Sequence, residues 1–379
     1  MPIYLDNAAT TQLDEEVLVA MLPHMHALCG SPSSVHSLGR QAKVAVEKAR
    51  KQVATLLCAA PAEIFFTSGG TEGNNMVLQG AIQSMKIKHV ITSPIEHLAV
   101  LQPLEQMAQA GKIQLHYLKL DQQGHIQYAH LEQLLSTYRC SLVSLMHGNN
   151  EIGNINDLMH IGSLCKTYQA IFHTDAVQTL GHYKLDLQAL PVDLLVGSSH
   201  KFHGPKGSGL VYIRSGLQIA PLLCGGGQER GMRGGTENVP GIVGLSTALH
   251  KAYQDMETNK QHIQGLKQHM IDQFNVKMPG ISFYGASADL AQSLYTILNL
   301  SLAPAASNDM LLFNLDINHI AASAGSACAS GSQTISHVIQ ALQADPMRHP
   351  IRFSFSKYNT RAEIDLVVDK LAELCGNNN

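Results

Sequence analysis

The chain has 379 residues, and 26 Lys and Arg against 29 Asp and Glu give it a formal charge of −3. A chain of this length buries enough surface to fold without disulfides or a structural metal. Its near-neutral charge argues against nucleic acid as a partner, because such binding depends on positive potential. Only 15% of its residues are charged, against about 25% in an average soluble protein. We therefore expect part of the surface to be buried in a homo-oligomer.

The N-terminus and the cysteines predict a cytoplasmic protein. The sequence has no apolar run of about 18 residues that would cross a membrane, and its first residues lack the basic start and apolar core of a signal peptide. The seven cysteines include no CxxC pair, which argues against a disulfide framework and for a reducing compartment. We expect no metal site, since the neighbouring His24, His26 and Cys29 do not have a zinc-site spacing.

Strand-like apolar runs alternate with helical segments between residues 40 and 215. Apolar residues at helical spacing predict one helix over residues 40–58 and another over 77–85. The runs predicted as strands are 64–67, 89–92, 113–118, 142–146, 170–174, 193–196 and 209–213. Strands that alternate with helices predict an α/β fold in which a mainly parallel sheet is covered on both faces.

The part of the chain after about residue 250 has a different pattern. Glycines at 225–227 and 234–235 punctuate the junction. Thr360 and Glu363 have the spacing of a capping box, and the apolar residues that follow form one face of a helix. We predict a large domain over residues 16–250 and a smaller α+β domain formed by residues 1–15 and 251–379.

Three loops at predicted strand ends carry groups suited to one phosphorylated cofactor. Residues 67–75 are glycine-rich and precede a helix whose backbone N–H groups could bind phosphate, although a plain turn would have the same composition. Asp175 could hold a proton on a heterocyclic nitrogen or simply cap a helix. Lys201 could form a Schiff base, although surface lysines are commoner in loops. Together these groups are the ones that pyridoxal phosphate (PLP) requires.

Cys328 differs from the other cysteines in its surroundings. It lies in a run of small residues over 323–331, which predicts an exposed loop and a reachable thiol. Cys58, Cys165 and Cys375 lie within apolar patterns, and we predict that they belong to the core. Cys328 is therefore the candidate for a reactive cysteine.

The chain resembles the cysteine desulfurases of the NifS/IscS type, which belong to the class V aminotransferases, a family of fold-type I PLP enzymes. The resemblance spans residues 4 to about 365 and rests on the segments 4–11, 34–40, 67–75, 95–97, 146–153, 173–178, 198–209, 233–236, 325–328 and 351–354. It implies a mainly parallel seven-stranded sheet flanked by helices. It also implies that the smaller domain carries the catalytic cysteine on a loop at about 320–332.

The resemblance implies roles for the residues that perform the chemistry. Lys201 would bind PLP covalently and remove the α-proton of the substrate, while His97 would stack on the cofactor ring and carry protons. Asn150 and Arg352 would bind the substrate carboxylate. Cys328 would attack the substrate sulfur and carry it as a persulfide.

A further set of residues would hold the cofactor, again as implied by the resemblance. Asp175 would pair with the ring nitrogen and Gln178 with the ring hydroxyl. The residues expected around the phosphate are Thr71, Ser198 and His200, together with Thr236 reaching in from the neighbouring subunit of a homodimer. Gly70 is also expected to bind the cofactor.

The implied activity is conversion of L-cysteine to L-alanine, with the sulfur passed to an acceptor protein for iron–sulfur cluster assembly, tRNA thiolation or another thio-cofactor pathway. Selenocysteine lyase activity, or a related PLP-dependent lyase or aminotransferase activity, is the alternative. An idle scaffold protein is a third possibility, against which the intact set of site residues argues. The sequence departs from the family in two places. Asn318–His319 occurs where the family commonly has an acidic residue followed by glycine. Gln343 occurs where glycine commonly follows the Ala-Leu pair.

Overall fold

The structure is a computed structural model that describes residues 2–304, 310–324 and 336–376. The predicted nucleophile Cys328 and most of the loop expected at 320–332 lie outside the described residues. The helices are α1 (Glu15–His26), α2 (Ser37–Leu56), α3 (Gly70–Met85), α4 (Leu98–Gln109), α5 (Tyr128–Thr137), α6 (Leu158–Thr167), α7 (Val239–Gln254), α8 (Met256–Lys277), α9 (Leu311–Ile317), α10 (His337–Ala341) and α11 (Arg361–Gly376). In the ranges that the structure describes, no helix is long and apolar enough to cross a membrane.

The strands form one large sheet and two small ones. They are β1 (Ile3–Tyr4), β2 (Ile64–Thr67), β3 (His89–Thr92), β4 (Gln114–Tyr117), β5 (Leu142–Ser144), β6 (Ile171–Asp175), β7 (Leu194–Ser198), β8 (Gly209–Ile213), β9 (Ser282–Phe283), β10 (Ile297–Leu302), β11 (Ile320–Ala321) and β12 (His349–Ser354). The large sheet has seven strands in the order β2-β8-β7-β6-β5-β3-β4. β8 is antiparallel to both its neighbours, and the other pairs are parallel. The predicted mainly parallel seven-stranded sheet is therefore confirmed.

Both faces of the large sheet are covered by helices. Consecutive strand residues point to opposite faces. Phe66 and Leu195 pack in the core that includes α2 and α7, and their neighbours Phe65 and Leu194 pack in the core that includes α3 and α4. A fully buried side chain of this size contributes about 1.5–3 kcal/mol. Burial on both faces explains why these strands are continuous apolar runs in the sequence.

A separate hydrophobic core lies around the antiparallel pair β10 and β12, with α8 and α11 packed on it. Leu5, at the N-terminus of the chain, is fully buried in this core. Helix α11 begins with the capping box, in which Glu363 accepts from the Thr360 N–H at 2.8 Å and its own N–H donates to Thr360 Oγ1 at 3.3 Å. The division into residues 16–250 and residues 1–15 with 251–379 stays a prediction.

The two departures from the family pattern have the backbone conformation that glycine adopts most easily. His319 has φ of +61° and Gln343 has φ of +52°. A side chain in this left-handed region costs about 1–2 kcal/mol, because Cβ approaches the following carbonyl oxygen. Both residues therefore adopt the left-handed conformation although neither is glycine.

The burial of the cysteines differs in part from expectation. Cys165 is buried as predicted, and burial raises the pKa of its thiol. Cys375 is half-buried, and burial raises its pKa as well. The prediction for Cys58 is wrong, because it is exposed. Helix α2 ends two residues earlier, and the left-handed backbone at Cys58, with φ of +52°, turns the chain away from the helix.

Candidate active site

The loops that follow β2, β3, β5, β6 and β7 meet at one edge of the large sheet, where they enclose a cavity of about 240 Å³. Carboxyl ends of parallel strands are where α/β folds bind ligands. The predicted site residues that line this cavity are Gly70, Thr71, His97, Asn150, Asp175, Gln178, Ser198, His200, Lys201 and Arg352. Thr236 is exposed and lines a different depression.

One corner of the cavity is formed by the N-terminus of α3. No side chain caps the first turn, because the preceding residue is Gly69. A Cβ at Gly70 would lie 2.8 Å from Val177 Cγ2, so only glycine fits there without displacing a neighbour. Ser198, the last residue of β7, lines the same cavity and is buried. Uncapped backbone N–H groups beside a serine hydroxyl are suited to a phosphate group.

Two histidines of the cavity are held in the neutral state by burial. Burial, together with the nearby ammonium groups of Lys201 and Lys206, lowers the pKa of His200 to about 4. Burial also lowers the pKa of His97, although the Asp175 carboxylate opposes this shift. His97 Nδ1 accepts a hydrogen bond of 3.0 Å from the Ala99 N–H and caps α4. In the neutral ring the proton is therefore on Nε2.

Asp175 is oriented by two donors. Its Oδ1 accepts from the Val177 N–H at 2.9 Å, and its Oδ2 accepts from Asn74 Nδ2 at 2.7 Å. Asn74 is fully buried, and its Oδ1 has no partner among the described residues. Asn74 was not predicted as a site residue. Its place one turn into the helix after the glycine-rich loop was the signal that could have found it. Gln178 donates from Nε2 to the Ala8 carbonyl at 3.0 Å.

Lys201 ends a single turn of 3₁₀-helix that follows β7. Its Nζ donates to the carbonyl oxygens of Ala8 and, at 2.8 Å, of Ala9. These acceptors belong to the N-terminal segment 4–11 on which the family resemblance partly rests. The amine is thus held at the wall of the cavity by neutral acceptors.

Arg352 brings a buried positive charge to the cavity. It lies on β12, is 1% exposed, and pairs through Nη2 with Asp6 Oδ1 at 2.9 Å. Its Nη1 donates to the Asn150 carbonyl at 2.8 Å, while Nε has no partner among the described residues. A guanidinium that has an N–H donor without a protein acceptor is suited to bind a carboxylate ligand. The pairing with Asp6 was not predicted.

Comparisons with known proteins agree with this fold. The family model for class-V aminotransferases matches residues 3–367. The putative cysteine desulfurase IscS 1 of Bacillus subtilis (strain 168) is 40% identical, over 98% of this chain and 98% of that protein. Among solved structures, a NifS-like protein superposes with a TM-score of 0.91 at 35% identity over the whole of both chains. The structure described as SspA in complex with cysteine has a TM-score of 0.80 at 30% identity, covering 94% of this chain and all of that one.

The α/β fold, with its polar cavity at the carboxyl ends of the strands, is that of the class-V aminotransferases, and the chain belongs to that family. Within the family it belongs with the cysteine desulfurases of the NifS/IscS type, which it matches over nearly its full length.

Proposed function

We propose that the chain uses PLP to convert L-cysteine to L-alanine and takes up the sulfur as a persulfide on Cys328. The observation that carries this proposal is that Lys201, His97, Asp175 and Arg352 line a single cavity. These are a nucleophilic amine, a proton carrier, a partner for a ring nitrogen and a carboxylate-binding group. The relatives named cysteine desulfurases and the cysteine complex of SspA support the choice of substrate.

The residues of the cavity fit PLP. The glycine-limited, uncapped N-terminus of α3 and the Ser198 hydroxyl would hold its phosphate. Asp175, oriented by Asn74, would pair with the ring nitrogen, and Gln178 would reach the ring hydroxyl. Lys201 would attach the cofactor covalently. When bound, PLP supplies an electron sink that stabilises the electron pair left at the substrate Cα after a proton is removed.

The chain's own side chains would move the protons. Lys201 Nζ, held beside the carbonyls of Ala8 and Ala9, would remove the Cα proton. The neutral His97 ring carries a proton on Nε2 while Nδ1 is occupied by the Ala99 N–H, so Nε2 is the atom that would exchange a proton with the reacting groups. Arg352 would hold the substrate carboxylate while these transfers occur.

Cys328 would act as the nucleophile toward sulfur. Its thiolate attacks the substrate Sγ, so that an S–S bond forms as the Cβ–Sγ bond breaks. The electron pair of the broken bond goes to Cβ, which takes up a proton to become the methyl group of alanine, and Cα regains a proton in place of the one that Lys201 removed. Access and the thiolate fraction of Cys328 would control the rate, as in thiol–disulfide exchange.

The proposed assembly is a homodimer that works in the cytoplasm with a sulfur-acceptor protein. Thr236 is exposed and lies outside the cavity of its own chain, which fits a residue that completes the phosphate site of a neighbouring subunit. A persulfide on Cys328 needs an acceptor thiol or scaffold to turn over, since the sulfur remains bound to the enzyme.

A substitution at Arg352 tests substrate binding. In Arg352→Lys we expect KM for L-cysteine to rise roughly 10- to 100-fold, because an ammonium keeps the charge beside Asp6 but loses the two-pronged contact with a carboxylate. PLP absorbance should be unchanged. The control is Arg348→Lys, since Arg348 directly precedes β12 and contacts Ser301 outside the cavity. An unchanged KM in Arg352→Lys would contradict the assignment.

A further inference from the structure

His182 lies behind the cavity and connects the backbone of Lys201 to Tyr295. Its Nε2 is 2.9 Å from the Lys201 carbonyl oxygen, and its Nδ1 is 3.0 Å from the Tyr295 hydroxyl. The two rings meet edge to face with centroids 5.8 Å apart. His182 does not line the cavity, and none of the roles derived above uses it or Tyr295.

The direction of each hydrogen bond follows from the acceptors. The Lys201 carbonyl oxygen can only accept, so His182 Nε2 must carry the proton and donate. The Nδ1 of a neutral ring is then an acceptor, which shares the proton of the Tyr295 hydroxyl with the His182 carbonyl oxygen, 3.2 Å from that hydroxyl. Burial lowers the pKa of His182 and raises that of Tyr295, so both groups stay neutral near pH 7. The chain of bonds therefore runs from Tyr295 through His182 to Lys201.

Lys201 needs such a contact because its own turn is short. The segment Ser199–Lys201 is one turn of 3₁₀-helix, without the ladder of bonds that fixes a residue inside a longer helix. The preceding carbonyl, of His200, accepts from the Thr11 N–H at 2.8 Å. The Lys201 carbonyl receives its bond from His182, which fixes the peptide plane from which the reactive side chain extends.

Tyr295 connects this contact to the unit that carries Arg352. It is 3% exposed and lies two residues before β10, in the core built around that strand. In the pairing of β10 with β12, Asn299 is opposite Arg352. The lysine and the arginine, which must act on one substrate molecule, are thus joined through Tyr295 and β10.

We propose that His182 and Tyr295 are positioning residues that hold the Lys201 backbone in place relative to the β10–β12 pair carrying Arg352. The inference rests on the proposed function, because it assigns a purpose to the position of Lys201. Loss of the contact should slow the steps in which the Lys201 amine reacts and leave binding of the substrate carboxylate by Arg352 unaffected.

The test compares His182→Leu with the matched variant His182→Gln, whose side-chain N–H can still donate to the Lys201 carbonyl. Covalent attachment of PLP to Lys201 is trapped with borohydride and followed by protein mass, and kcat and KM for L-cysteine and the melting temperature are measured in parallel. We expect His182→Leu to slow attachment and lower kcat about tenfold, with KM within twofold. His182→Gln should restore both rates to within about threefold of wild type.

Tyr295→Phe removes only the hydroxyl and keeps the ring. It therefore tests the hydrogen-bonded connection from Tyr295 through His182 to Lys201 even if the leucine variant folds poorly. It should slow attachment about threefold, because Nδ1 loses its donor. Rates within twofold of wild type in both His182→Leu and Tyr295→Phe would overturn the inference. The inference would also be overturned if the leucine and glutamine variants lost equal amounts of rate and of melting temperature. Covalent attachment of PLP to Lys201 does not require the substrate L-cysteine. Its rate therefore tests this inference even if the wild-type protein releases no alanine.

Discussion

Replacement of Lys201 by alanine is expected to abolish alanine formation from L-cysteine, lowering the rate at least about a thousandfold. The amine that would attach the cofactor and remove the Cα proton is lost, and the carbonyls of Ala8 and Ala9 that hold it cannot replace it. Alanine release is measured by amino-acid analysis, and covalent PLP by protein mass after borohydride treatment.

The matched control is Lys206→Ala, which removes an exposed lysine from the same loop without touching the cavity. That variant should keep wild-type activity and wild-type covalent PLP. If Lys201→Ala still carries borohydride-trapped PLP and forms alanine at more than a small fraction of the wild-type rate, another lysine performs this role and the site is misassigned.

Replacement of Cys328 by alanine is expected to lower the build-up of protein-bound sulfane sulfur to no more than about 1% of the wild-type rate. The reason is chemical, since the new S–S bond requires a thiolate at the point of attack. The residues that bind PLP and the substrate carboxylate are left intact, so PLP absorbance and its change on adding L-cysteine should persist. Sulfane sulfur is quantified after brief incubation with L-cysteine and removal of small molecules.

Cys140→Ala is the control for that experiment, because Cys140 is an exposed cysteine that does not line the cavity. It should accumulate sulfane sulfur at the wild-type rate. Accumulation at the wild-type rate in Cys328→Ala as well would remove Cys328 from the mechanism and point to one of the remaining cysteines.

The large sheet was predictable because most of its strands are buried on both faces. Leu194–Ser198 is then apolar up to its last residue, and the polar residues that end β7 and β6, Ser198 and Asp175, fall at the edge where ligands bind. The capping box at Thr360 was equally visible, since both of its hydrogen bonds join residues three positions apart. Local chemistry of this kind can be read directly from the sequence.

The contacts that were missed join residues far apart in the chain. Asn74 and Asp175 are separated by 101 positions, and Arg352 and Asp6 by 346, so neither pair leaves a pattern of spacing. His182 was not predicted for a related reason, because its hydrogen-bond partner Tyr295 is distant along the chain and lies in the core around β10 and β12. The burial of Cys58 was predicted wrongly, because apolar neighbours in the sequence do not indicate where the helix ends.

The most direct test of the central claim is a single assay of the purified protein with PLP, L-cysteine and a mild reductant, in which alanine, sulfide and pyruvate are quantified together. The reductant releases the sulfur carried by the enzyme, so a cysteine desulfurase should yield alanine and sulfide in equal amounts. Pyruvate formed with the sulfide would instead show elimination from cysteine, and it would contradict the assignment of this chain as a desulfurase.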